Sequence, residues 1–141
     1  MNLFQSEYAA GNVDKSEEYF QESKGYYEKA LELDDSLFDV QYSIGSLYYN
    51  KGVEITKIMN DLPISESKKY DMLNKQAKEL FNVSLPYFKK AEMMNPNDTN
   101  TMIALKEIFA RNDDFTTSNE FKTRLETVQG GGKVDGSFFK K

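Results

Sequence analysis

Between Tyr19 and Leu31 the apolar and small positions are Tyr19, Phe20, Ser23, Tyr27, Ala30 and Leu31. Intervals of three and four place them on one stripe of a helix. Asp14-x-x-Glu17 stands ahead of the stripe, an oxygen to accept from free first-turn amides and a carboxylate three residues on, so a helix is predicted at about 14–34. A shorter pattern, Leu3, Phe4, Tyr8 and Ala9, predicts a helix at about 2–10 that stops at Gly11-Asn12. Two long patterns follow. Val53, Ile55, Ile58, Met59 and Leu62 continue a helix begun near Phe38, and Tyr70, Leu73, Ala77, Leu80 and Phe81 open a second that ends near Met94. Pro63 between them bars continuation, and Ser65 or Ser67 stands where an N-cap belongs. The prediction is a long antiparallel hairpin, about 38–60 against 66–94, with Pro86 expected to kink or split its second helix because it has no amide for the Asn82 carbonyl.

Asn95-Pro96-Asn97-Asp98 reads as a turn, with Asp98 or Thr99 capping a helix at about 99–111. After the break at Asn112-Asp113-Asp114, Phe121, Leu125 and Val128 share a face of a last helix, 115–128. Gln129-Gly130-Gly131-Gly132 ends regular structure, leaving 129–141 as a flexible tail whose Phe138-Phe139 can fold back on an apolar groove. The fold class is all-α, one domain over 1–128.

The chain also repeats itself. At an offset of 61 residues Phe20, Ser23, Tyr26, Lys29 and Ala30 return as Phe81, Ser84, Tyr87, Lys90 and Ala91, and Ile44 and Tyr48 return as Leu105 and Phe109. Gln41-x-x-Ile44-Gly45-x-x-Tyr48, followed by Ser84-x-x-x-Phe88-x-x-Ala91 and Pro96, resembles the tetratricopeptide repeat. Gln41 stands where a Trp is usual, and the offset is one 34-residue period plus about 27 residues, so the middle unit carries an insertion at about 53–76 that lengthens both its helices. Units are expected at about 1–35, 38–96 and 99–128, the third departing most, with Lys106 in the place of a Gly. The resemblance implies a TPR-like α-solenoid. Leu85-Pro86-Tyr87-Phe88-Lys89-Lys90-Ala91 ahead of Asn95-Pro96-Asn97-Asp98 looks most like such proteins from Bacteroidetes-type bacteria.

Composition narrows the chemistry. The 141 residues contain no cysteine and no histidine, which removes thiolate and imidazole from any proposed centre. Net charge is −5 and no basic run exceeds a pair, a poor balance for nucleic acid or an anionic membrane. No stretch of 18 apolar residues spans a bilayer, and Met1–Glu7 is not a signal sequence. The compartment stays open between cytoplasm and, for a fragment of a secreted protein, periplasm. Gly130-Gly131-Gly132-Lys133 lacks the upstream glycine, the following Ser or Thr and the strand of a phosphate loop. Asp34-Asp35, Asn97-Asp98 and Asp113-Asp114 lack the alternation of a calcium loop and read as helix-end caps, and Glu17-Glu18 with Glu22 reads as a solvated face. No nucleophile, base or metal set can be assembled, so no enzyme and no cofactor is expected.

What remains is binding. Tyr42, Ser46, Tyr49 and Val53 lie roughly 110° round the helix from Gln41, Ile44, Gly45 and Tyr48, the face turned to the partner helix. In tetratricopeptide proteins that second face lines the groove for partners. The resemblance therefore makes Tyr42, Ser46, Tyr49 and Asn50, with Glu107 and Arg111 of the third unit, candidate contacts for a protein or peptide; simple packing on the neighbouring unit is the other reading of the tyrosines. The clamp that such proteins use for acidic C-terminal tails carries over to Asp39, Tyr42, Ser43 and Ser46, and to Asn100, Ile103, Ala104 and Glu107, with no cation among them. An acidic tail is thus not the expected partner. The alternative to a binding module is a structural end-piece of a longer solenoid, or a homo-oligomer formed through residues 1–34, where a short first helix would leave its neighbour bare.

Overall fold

In the computed structural model, which describes residues 13–140, five helices follow one another. They are α1 (Val13–Leu33), α2 (Phe38–Asn60), α3 (Ser67–Met94), α4 (Thr99–Arg111) and α5 (Phe115–Gln129). Among the described residues there is no strand. The described helices begin and end within about a residue of where the hydrophobic pattern places them, the ordinary uncertainty of a helix end. The expected helix at 2–10 lies outside the described residues, and with it part of the 1–34 surface.

Each helix packs chiefly on its neighbours in sequence. The longest contact is between α2 and α3, and two glycines set how close it is. A Cβ on Gly45 would lie 3.2 Å from ring atoms of Phe88, and a Cβ on Gly52 would lie 3.0 Å from the ring of Phe81. The glycines are two turns apart on one stripe of α2, and the phenylalanines two turns apart on α3 in the opposite order, so the helices run antiparallel. Tyr42 and Tyr49 close over the same rings edge-on, Tyr42 to Phe88 at 5.9 Å and Tyr49 to Phe81 at 5.4 Å between centroids. Phe81 and Phe88 are consequently buried, together with Ala77, Ala91, Leu105, Ile108 and Phe121. The inserted residues belong to this hairpin as helix on both sides of the turn at 61–66, and Ile55, Met59 and Ala77 are buried.

Three local expectations change. α3 is not split at Pro86; it is continuous from Ser67 to Met94. Pro86 is exposed while Ser84, Phe88 and Ala91 are buried against the neighbouring helices, and that burial offsets the lost bond, which costs about 3 kcal/mol in an isolated helix interior. Neither Ser65 nor Ser67 caps α3: the N-cap is Glu66, without a side-chain bond, and its own amide donates to the Pro63 carbonyl at 3.0 Å. The segment expected to be a flexible tail is laid back on the domain over 133–139, its Phe138 and Phe139 folding back as their aromatic character allowed, onto Phe109 and Phe121. The aromatic pair supplies the apolar area that the glycine count hides.

The glycine positions yield a paired prediction. Gly45→Ala and Gly52→Ala should each lower stability, because enclosed rings cannot move aside and overpacking costs about 1–3 kcal/mol against a helix-propensity gain of about 1. Gly25→Ala, at an exposed position of α1 with nothing within 4 Å of the new methyl, should instead raise stability by about 0.5–1 kcal/mol. Urea melts of the three variants check both signs.

Candidate functional site

Tyr42, Ser46, Tyr49 and Asn50 fall on one stripe of α2 because they recur at threes and fours, and α4 presents Asn100, Ile103 and Ala104 opposite them. Together with Phe88 of α3 they enclose a cavity of about 190 Å³. Phe88 is fixed there by Gly45 on one side and the edges of Tyr42 and Tyr49 on another. The volume suits one inserted side chain rather than a whole small-molecule ligand, for which about 300–1,000 Å³ is usual. Its lining holds a phenylalanine, two tyrosines, two carboxamides and a hydroxyl, and no charged side chain. Such a surface offers apolar contact with hydrogen-bond donors and acceptors at the edge.

Glu107 and Arg111 do not line this cavity. They stand further along α4, close enough to Tyr49 for their charges to act on its phenol. Burial raises the Tyr49 pKa above its ordinary value, the Glu107 carboxylate adds to that, and Arg111 partly opposes it. The Arg111 guanidinium lies over the Phe81 ring, 4.4 Å from its centroid, and its Nε is buried without a hydrogen-bond partner. Of the positions that the clamp of the resembled family would use, Tyr42, Ser46, Asn100, Ile103 and Ala104 meet in the cavity, whereas Asp39, Ser43 and Glu107 are not in its lining. Tyr42 and Tyr49 also pack on the α3 rings, so the packing reading and the contact reading describe two faces of the same side chains.

The carboxylates singled out in the sequence have local work. Asp98 accepts from the Thr101 amide at 2.9 Å, Asp114 from the Thr117 amide at 3.1 Å, and Asp34 from the amide and hydroxyl of Ser36. The Ser36 hydroxyl and amide hold the exposed Asp34 carboxyl below its usual range. Glu17 is not simply solvated. It pairs with Lys51, which also covers the Phe20 ring, and accepts from Gln21; burial alone would raise its pKa, but these bonds and the Lys51 charge together lower it. Glu17 and Lys51 border a second cavity, of about 500 Å³, whose other walls include Ile55, Leu73, Leu80 and Val83. Neither this cavity nor the role of Glu92, a fully buried carboxylate on α3 that accepts from Ser137 and Phe138, was apparent from spacing, because both depend on how distant segments meet.

Compared with family models, with curated proteins and with solved structures, the chain finds no match in any of the three. Among the described residues no helix is long and apolar enough to cross a membrane.

The Tyr49 shift gives a pH test. Its folded pKa lies above the unfolded value of about 10, so the associated stability is complete below that value and is lost as pH rises through the folded pKa. Burial raises the Tyr48 pKa as well, so alkaline titration of phenolate absorbance should show late-ionising tyrosines of which Tyr49→Phe removes one, and above about pH 10 the stability of the parent should fall more steeply than that of the variant.

Proposed function

We propose that the chain is a non-catalytic interaction module of tetratricopeptide type, which holds a segment of another protein against Tyr42, Ser46, Tyr49 and Asn50 of α2 and Asn100, Ile103 and Ala104 of α4. The observation that carries this reading is that the four candidate contacts of the middle unit, Tyr42, Ser46, Tyr49 and Asn50, line a single cavity with Asn100, Ile103 and Ala104 of the next unit, while the candidates Glu107 and Arg111 lie outside it. The partner segment should bring an apolar side chain for the cavity, together with Lys or Arg to meet Glu107 and Asp39 nearby, since opposite charges steer association and like charges oppose it. An acidic tail meets no cation in the cavity lining.

A second reading has its own observation. Tyr26, Leu33 and Leu37 are exposed on and just after α1, Leu33 at 88%. Stacked helical units cover such positions with a neighbouring unit or another copy. On this reading the chain is a structural unit of a longer or self-associated array, and nothing foreign binds.

A fluorescent peptide rich in Leu and Lys should bind more tightly than one ending in several acidic residues. Ile103→Asp, at a position 39% exposed and therefore away from the core, should weaken the Leu/Lys peptide about tenfold, on the order of 1.4 kcal/mol, with an unchanged melting temperature. Tighter binding of the acidic peptide, abolished by salt, would overturn the site. Binding of neither peptide, together with a concentration-dependent dimer weakened by Leu33→Glu, would favour the structural reading.

A further inference from the structure

After α5 the chain turns back through its three glycines. The Gly130, Gly131 and Gly132 amides donate to the carbonyls of Glu126, Val128 and Thr127, and Gly131 has φ +94°, a conformation that favours glycine. Residues 133–140 then run between α3 and α5. The Val134 amide donates to Asn97 Oδ1 at 2.8 Å, and Arg124 Nη1 donates to the Gly136 carbonyl at 2.8 Å. The Phe138 amide donates to both oxygens of Glu92, at 3.1 and 3.0 Å, and Ser137 Oγ donates to Oε2 at 3.0 Å. Phe138 meets Phe121 edge-on at 5.3 Å, and Phe139 lies against Phe121 at 5.7 Å and Phe109 at 6.2 Å. Lys89 and Arg124 cover the outer faces of Phe139 and Phe138.

Glu92 is the informative residue. It is 1% exposed, and among the described residues no Lys or Arg forms an ion pair with it. A buried carboxylate is costly unless its oxygens are bonded, and here the donors, the Ser137 hydroxyl and the Phe138 amide, come from the returning segment. If these residues served only to complete the core, an apolar residue at 92 would do so at less cost. A carboxylate differs in what happens when the segment leaves, because it then takes up water, whereas an apolar residue would be left bare. The returning segment is also not fully embedded: a cleft of about 500 Å³ stays open between it and α5, bordered by Glu120, Thr123, Thr127 and Asp135.

We propose that the groove between α3 and α5, floored by Phe109 and Phe121 and read by Glu92, is a peptide-binding site for a Ser-Phe-Phe segment bent so that the serine hydroxyl accepts from the two amides after the first phenylalanine, and that the chain's own residues 133–140 are its releasable ligand. The Glu92 carboxylate reads a hydroxyl and a backbone amide, Arg124 and Asn97 read the backbone on either side, and the aromatic floor takes the two rings. The same segment from another molecule satisfies the site once the resident one has left. The short glycine connection keeps the resident segment at an effective concentration in the millimolar range, so it outcompetes a free copy until it is weakened.

The probe is a labelled synthetic peptide, Lys-Val-Asp-Gly-Ser-Phe-Phe-Lys-Lys, titrated against the full chain and against the full chain carrying Phe138→Ala with Phe139→Ala. The double variant should keep its helical circular dichroism and bind the peptide at least about tenfold more tightly than the parent, and adding Glu92→Leu should abolish that binding. A peptide with both Phe replaced by Ala should bind neither. Equal or absent binding to the parent and the double variant would overturn the proposal. So would loss of helix in the double variant, which would make the two rings core. Native-state hydrogen exchange on the unaltered chain is the independent check. The Phe138 amide should exchange through a local opening insensitive to low denaturant, while Phe121 exchanges through global unfolding; exchange of both by the global route would also overturn it.

Discussion

The distance of closest approach between α2 and α3 decides most of what this chain becomes. Gly45 and Gly52 leave α2 without side chains where the rings of Phe88 and Phe81 arrive from α3, and any larger residue would hold the helices apart. With the backbones this close, Tyr42 and Tyr49 reach past the glycines and close edge-on over the same rings. Four aromatic side chains and two glycines thus form one interlocked seam. α4 is applied to it through Arg111 over Phe81 and through Met102, Leu105 and Ile108 in the shared core.

The cavity follows from that seam rather than from a separate design. Phe88 is its floor because Gly45 lets the ring in, and Tyr42 and Tyr49 are its wall because they lean on Phe81 and Phe88. The side chains proposed to meet a partner are therefore held by packing on their inner edges, which limits the rotamer freedom they would lose on binding. A rigid aromatic surface with amide and hydroxyl groups at its margin is what the proposed contact with a protein segment calls for. The tyrosine shifts stem mainly from burial, in keeping with phenols that pack.

Helix positions were legible in the sequence because each helix is amphipathic and each break carries Pro, Gly or an Asp-rich turn. Asp98 and Asp114 each stand three residues before a threonine that they cap, a spacing readable by eye. Tyr42, Ser46, Tyr49 and Asn50 were legible as one face for the same reason. Three features were not. Pro86 looked like a break, but burial on both sides of it is a tertiary matter that local propensity does not record. Gly52 escaped notice beside Gly45, since its meaning depends on Phe81 lying across from it. The residues after the glycine run read as a flexible tail whose aromatic pair could fold back, with nothing to say where. Their place is fixed by Glu92, more than forty positions upstream, which as a lone helical Glu gives no sign that it is buried.

The seam is the claim on which the rest stands, and residue-resolved hydrogen exchange of the unaltered chain measures it directly. The slowest amides should be those of α2 around 44–52 and of α3 around 81–91, with protection declining through 53–60 and 67–76 toward the hairpin turn. Amides at 44–52 that exchange as fast as those at 61–66, or a maximum of protection in α5 instead, would show that the glycine–aromatic contact does not organise this fold.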